Sequence, residues 1–442
     1  MFISHERAVA NKQRVVRPGL WRLGMSGCSL CIRLGTYVVV ARALGTQNLG
    51  VLLFTQWIAS LLLPFIGTGM TPLASSRVVE LHYYETAHTI AGIFHLRWRQ
   101  QCHRILLYCI IYVPLTFFLS LLLKGAIPFF LLLVAGLAAT PLLLSGVAST
   151  TLQGLRHYNL LATLRFFSTL LNFCLVFRVT QEHSQVVGML LLVPAFTGIL
   201  TLTIALLCIA KLLPFHDALE PGPLLRERIE QSQRPSLLFF VLDTVSWREL
   251  LFLVLILMYG QTFTALSYYA FSLLLCTHLI EVAPTLFITC ILPVTSRLLR
   301  KHIYTDTYNA FVKTSYAIAL LAGVMCTCIS ICAPLIISIC FGNSYLPMVT
   351  PFRILLSGVV AGSVATVSLT YLAQHKRRRE QTWLGIGTAV LHIGLALPCI
   401  MLWGIVGAAL TSTIAHVIMT IGIILICRKF LLHSYSKGKN KE

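Results

Sequence analysis

Residues 186–209 read VVGMLLLVPAFTGILTLTIALLCI and carry no charged side chain. As an α-helix rising 1.5 Å per residue, the stretch would extend about 36 Å. That is enough to cross the hydrocarbon core of a bilayer. Similar runs lie on both sides of it. Apolar stretches between breakers predict twelve spans, at 19–42, 49–70, 104–123, 126–149, 158–178, 186–209, 236–258, 264–294, 311–341, 351–373, 383–402 and 404–427. The long 264–294 and 311–341 runs imply tilt or a cytoplasmic extension.

Composition supports the same class. Of the 442 residues, 57% are apolar and only 11% charged, with a mean hydropathy of +0.83. Soluble proteins carry about 25% charged residues. This chain has too few to cover the surfaces of two or three soluble domains. A disordered chain, a secreted disulfide scaffold and a coiled coil are excluded by the same figures. An all-α polytopic membrane protein remains.

The net charge is +20. In a soluble domain that would suggest nucleic acid, but here the basic residues fall between apolar runs, so no nucleic-acid partner is expected. With the N-terminus inside, the inside segments receive Arg7 to Arg17, Arg77, Arg97, Arg99, Arg104, Arg156 and Arg165. In the second half they receive Lys211, Arg226, Arg228, Arg234, Arg297, Arg300, Lys301, the run Lys376 to Arg379, and the tail from Arg428. Arg42, Lys124, Arg178 and Arg353 sit at the edges of the outside loops. This asymmetry predicts a multi-pass protein of the cytoplasmic (inner) membrane with both termini cytoplasmic. The basic N-terminal stretch leads into a full span rather than a short h-region, so no cleavable signal peptide is expected.

The two halves resemble each other at an offset near 220 residues. Ser76-Arg77 recurs as Ser296-Arg297, Leu152 as Leu372, Asn172 as His392, and Val186-Val187-Gly188 as Ile405-Val406-Gly407. Twelve helices in two six-helix lobes, related by a pseudo-twofold axis along the membrane normal, follow from an even number of spans per repeat. Residues 1–209 form the N-terminal lobe, 210–235 a cytoplasmic linker, and 236–442 the C-terminal lobe.

Charges within spans are the candidate functional groups, because a charge at a helix centre costs about 2.5–3.5 kcal/mol on insertion scales. Arg22 and Arg33 lie eleven residues apart on one face of span 1, about 16 Å apart along the axis. Ser26, Ser29 and Thr36 share that stripe. Arg248 falls about 18 Å into span 7. These three arginines would suit a phosphate or diphosphate, which guanidinium binds bidentately. Asp243, Glu249 and Glu281, with His278, are candidates for a coupling ion or proton. Structural ion pairs between helices are the alternative for the carboxylates. In span 12, Ser412, His416 and Thr420 form another polar stripe.

Cys28 and Cys31 form a C-x-x-C, and Cys326 and Cys328 lie close together, but all fall in apolar runs with no second pair at ligand spacing. They read as packing residues. No metal or other cofactor is expected. No Walker A, G-x-S-x-G or H-E-x-x-H motif is present, and an enzyme is not expected.

Several segments resemble the polysaccharide-biosynthesis flippases of the multidrug/oligosaccharidyl-lipid/polysaccharide (MOP) exporter superfamily. These are Ala41-Arg42-Ala43-Leu44-Gly45 with Gly50 and Phe54, then Gly67 and Gly69 before Arg77, and Leu152 to Tyr158. Phe341 to Tyr345 with Arg353-Ile354-Leu355, and Gly404 to Ala409 after Trp403, complete the set. The resemblance implies a MATE-like two-lobed bundle, alternating access, and a polyprenyl-diphosphate-linked oligosaccharide carried from the cytoplasmic to the outer leaflet. It also implies glycan polymerase or assembly proteins as partners, and a cationic central cavity. His392 departs from an asparagine expected in helix 11, and span 1 lacks the acidic site of the multidrug antiporters. The rival expectations are a cation-coupled multidrug or metabolite exporter of the same fold, and a non-transporting membrane scaffold for glycan assembly.

Overall fold

The computed structural model describes residues 2–61, 87–122, 127–155, 157–181, 186–214, 222, 262–280, 304–374 and 378–439. The described elements are helical: α1 (Phe2–Leu61), α2 (Ala87–Leu122), α3 (Phe129–Gly154), α4 (Tyr158–Gln181), α5 (Val186–Leu212), α6 (Phe263–Ile280), α7 (Tyr304–Cys340), a 3-10 turn (Asn343–Met348), α8 (Val349–Gln374) and α9 (Arg378–Lys439). Nine helices among the described residues are long and apolar enough to cross a membrane. Span 7 and the second half of span 8 lie outside the described residues, as does most of the 210–235 linker.

Two of these helices are broken at a glycine. Gly45 interrupts α1 at φ 68°, ψ 179°. Gly404 interrupts α9 at φ 55°, ψ −130°. L side chains avoid this positive-φ region. The apolar part of α9, Trp383–Lys429, would run about 70 Å if straight, far beyond a bilayer's hydrocarbon core. It does not run straight. A β-carbon on Gly407 would lie 1.9 Å from the Cys399 carbonyl oxygen, and one on Gly422 would lie 2.5 Å from a methyl of Leu384. Residues so far apart in sequence meet only if the chain reverses at Gly404. The expected turn between the last two spans therefore sits on that glycine.

Element boundaries carry the internal repeat more clearly than single residues do. Helix α3 starts at 129 and α8 at 349, and they end at 154 and 374, so 349 − 129 and 374 − 154 both equal 220. Pro114 inside α2 and Pro334 inside α7 are separated by the same 220 residues. Proline within a helix frees a carbonyl and bends the axis, so a matched pair marks a matched bend.

The chain forms two compact units. One comprises Met1–Leu44 and Phe54–Phe240, the other Gly45–Leu53 and Val241–Glu442. In the first, Ile90, Ala91 and Phe94 of α2 pack with Val147, Ala148 and Leu152 of α3 and with Ala205 and Ile209 of α5. Nearer the middle of α2, Tyr112 is fully buried, and its hydroxyl donates to the Leu132 carbonyl at 2.7 Å. In the second unit, Thr413, Thr420 and Cys427 of α9 donate to the carbonyls of Ile354, Ala361 and Ser368 of α8. Donors and acceptors both advance by seven residues, so α8 and the second arm of α9 run parallel with a heptad-like seam.

The exterior differs from that of a soluble protein. Phe117, Phe118, Leu121, Ile331, Leu335, Leu402 and Trp403 are exposed, whereas Thr55, Thr116, Ser363, Ser412 and His392 are among the buried side chains. An apolar exterior with polar groups satisfied inside is what lipid as solvent requires. The protein is a multi-pass membrane protein.

The apolar run puts the start of span 3 at 104, whereas α2 already begins at Ala87. Ile90, Phe94, Arg97, Gln101, Tyr108 and Tyr112 recur at helical spacing and are all buried. Arg97 is thus part of the helix's inner face. Its charge obscured a stripe that its neighbours continue.

Candidate functional site

The first unit brings two arginines together. Arg33 lies on α1 and is exposed. Gly35 follows it, and a β-carbon there would touch the Phe173 ring of α4 at 3.6 Å, so α1 and α4 run close at this level. Arg165 lies two turns before Phe173 on α4, and the charge of Arg33 acts on it. From the sequence, Arg165 reads only as an orientation charge. Its position inside span 5, seven residues after Tyr158, was the signal that it also reaches the polar face.

No carboxylate stands among the described side chains of this unit. Two guanidiniums that repel each other gain from any anion that bridges them. Phosphate offers oxygens in the geometry of the guanidinium fork. The stripe around Arg33 is less open than expected. Ser29 and Thr36 donate their hydroxyls to the carbonyls of Met25 and Ile32 in their own helix, and Thr36 is buried. The cationic face at this depth is therefore carried by Arg33 itself. The backbone of Arg22 is helical, but its side chain lies outside the described residues. Arg248, Asp243, Glu249 and Glu281 also lie outside them.

In the second unit, His278 is half-buried near the end of α6. Ser267, on the same helix, is fully buried and donates to the Thr264 carbonyl. The Ser412–His416–Thr420 stripe faces the interior of the unit, a placement the sequence did not decide. Ser412 shares a hydrogen bond with the Tyr269 hydroxyl at 2.9 Å. Thr420 bonds α8. His416 and His392 are both buried. Of the cysteines, Cys28 and Cys31 are exposed on α1, and Cys276, Cys326 and Cys427 are buried. Among the described residues, no group of three potential metal ligands comes together.

No protein-family model matches the chain. No curated protein sequence matches it either. Solved structures do. An inward-facing multidrug-resistance MATE family transporter of the MOP superfamily superposes with a TM-score of 0.71 at 12% identity, over 95% of this chain and 99% of that one. The lipid II flippase MurJ, in an inward closed conformation, gives 0.69 at 13% identity, over 94% of this chain and 90% of that one. A MOP superfamily transporter from Pyrococcus furiosus, described as having a binding pocket of reverse polarity, gives 0.57 at 14% identity, over 95% and 96%. Identities this low speak to architecture, and over nearly the whole of its length the chain has the fold of the MOP-superfamily transporters.

Proposed function

We propose that the protein is a flippase that moves a polyprenyl-diphosphate-linked oligosaccharide from the cytoplasmic to the outer leaflet for cell-surface polysaccharide biosynthesis. The observation that carries this reading is the Arg33–Arg165 pair, two cations on adjoining helices without a described carboxylate in their unit. A diphosphate would bridge them. Arg22 and Arg248 would extend the cationic surface, the polar side chains would accommodate sugars, and the prenyl chain would stay in lipid. Alternating access around a cationic central cavity would then move the headgroup without exposing its charge to hydrocarbon. The inner membrane, with both termini cytoplasmic and glycan assembly proteins as partners, is the setting this function implies.

The test begins with deletion of the gene in its native host, followed by profiling of surface glycans and polyprenyl-linked intermediates together. Loss of one surface glycan, with its lipid-linked repeat unit accumulating on the cytoplasmic side, is expected. Unchanged glycans and intermediates in a host without a redundant flippase would overturn the proposal.

A second reading, a cation-coupled exporter, draws on the likeness to multidrug MATE structures. It requires Asp243, Glu249, Glu281 or His278 to be essential and the arginines dispensable, with drug sensitivity as the deletion phenotype. A scaffold without transport would survive neutralisation of all these charges.

A further inference from the structure

Helix α7 contains Pro334, which has no N–H to give. The carbonyl of Ser330, four residues back, therefore loses its helical partner. In lipid no water replaces that bond, and a neighbouring group has to take it. Arg353 of α8 does so. Its Nε donates to the Ser330 carbonyl at 3.0 Å. A guanidinium donor makes a charge-assisted bond, stronger than the neutral amide bond it stands in for. The arginine of the Arg353-Ile354-Leu355 motif thus repairs a defect made by a proline on the preceding helix.

The matched bend in the first unit lacks this repair. At the repeat offset, Pro114 stands for Pro334, Ile110 for Ser330 and Leu133 for Arg353. Leucine has no donor. The two bends share a backbone defect, and the first cannot be fastened in this way.

The two sides of the Pro334 bend are held differently. After the proline, aromatic packing anchors the chain. Phe341 meets Phe271 of α6 edge-on with ring centroids 4.9 Å apart, and Tyr345 packs against both rings. Before the proline, Ile318 and Ala322 pack against Val360 of α8. Such apolar contacts are non-directional and leave a helix able to slide. The Arg353 bond adds a directional tie on this side, about one turn from the bend itself. Arg353 is exposed, so its guanidinium can leave the carbonyl without opening the core.

We propose that Arg353 is a releasable clasp on a hinge in α7. Fastened, it fixes the angle at Pro334, and α7 and α8 move as one pair. Released, it leaves the Ser330 carbonyl bare, and the arm of α7 before Pro334 swings about the bend. Proline without the clasp is a loose joint, and the clasp without the proline would find its carbonyl already bonded. The two residues therefore work as one device, whatever the cargo.

Hydrogen exchange by mass spectrometry tests this on the full-length protein in lipid nanodiscs without cargo, because exchange reads local opening. In Arg353→Leu, exchange of the segment 326–340 is expected to rise about tenfold or more, the effect of losing a charge-assisted bond to a carbonyl. Pro334→Ala returns an N–H to the Ser330 carbonyl. In that background Arg353→Leu is expected to change exchange by less than about twofold, since the two sites are coupled. The segment 129–154 of the first unit serves as reference and should not change. Should Arg353→Leu fail to fold, adding Pro334→Ala is expected to restore a folded, monodisperse protein, and a failure to restore it would overturn the clasp. Equal rises in both backgrounds, no rise with Pro334 present, or a rise shared by the reference segment would do the same.

Discussion

A β-carbon on Gly50 would lie 2.1 Å from the carbonyl oxygen of Phe263 and 2.9 Å from its carbonyl carbon. The start of span 2 therefore meets the start of α6 backbone to backbone, and the contact lies within one compact unit. Even a methyl group there must push main chain aside, since no flexible side chain can yield. Gly50→Ala is expected to cost about 1–3 kcal/mol, as overpacking does, and to impair transport. Gly323→Ala, in a helix with no neighbour within 4 Å, should be neutral or slightly stabilising. Thermal unfolding in detergent separates the two. Equal stability of both variants would show that the backbones do not approach this closely.

The like charge of Arg33 acts on Arg165, and this sets stability against function. Replacing either by Gln removes repulsion, so the ligand-free protein should unfold at a slightly higher temperature. The same change should lower transport about tenfold or more, the loss expected when a charge-assisted hydrogen bond of about 1.5–3 kcal/mol disappears. Arg33→Lys should keep part of the activity, because it retains charge but not the bidentate fork. A fall in stability with unchanged transport in both Gln variants would make the pair structural.

Much of this architecture was legible because lipid imposes a simple code. A run such as Val186–Ile209 has few alternatives to a membrane helix, and a glycine such as Gly404 between two apolar runs marks a reversal. Gly50 stood out in the family-like motif, but only the structure supplies the reason, the close carbonyl of Phe263. The site was harder to read. Arg165 looked like an orientation charge because hydropathy gives its depth and not its facing. His392 registered only as a departure from an expected asparagine. Its burial depends on a fold-back at Gly404 whose packing no periodicity encodes. Arg97 misled in the opposite direction, since a charge within an apolar stripe reads as a boundary when the stripe continues through it.

Tyr112 and Gly136 form a ring-in-notch contact in the first unit. A β-carbon on Gly136 would lie 2.0 Å from the Tyr112 ring, which stacks on Tyr108 with centroids 5.0 Å apart. Gly136→Ala must displace a ring that has no exposed surface to move toward. Tyr112→Phe should cost about 0.5–1.5 kcal/mol, from loss of the bond to the Leu132 carbonyl. The informative variant is the double change Tyr112→Ala with Gly136→Ala. It should be less destabilising than the two single costs combined, because the added methyl enters the space the ring has left. Additive costs in chemical or thermal unfolding would mean that the notch is not there.

The fold-back in α9 and its seam with α8 should differ in energetic weight. Thr413 and Thr420 each donate one hydroxyl to α8, at 3.0 and 2.9 Å. Interhelical bonds of this kind in membranes are worth about 0.6 kcal/mol each, and Thr420 also bonds the His416 carbonyl of its own helix. Thr413→Val and Thr420→Val are therefore expected to be mild and nearly additive. Gly407 stands differently, because its position over the Cys399 carbonyl leaves no room for a β-carbon. Gly407→Ala must pry open the two arms, and it should destabilise the protein more than both threonine changes combined. A Gly407→Ala protein as stable as the threonine variants would show that the arms are held together elsewhere.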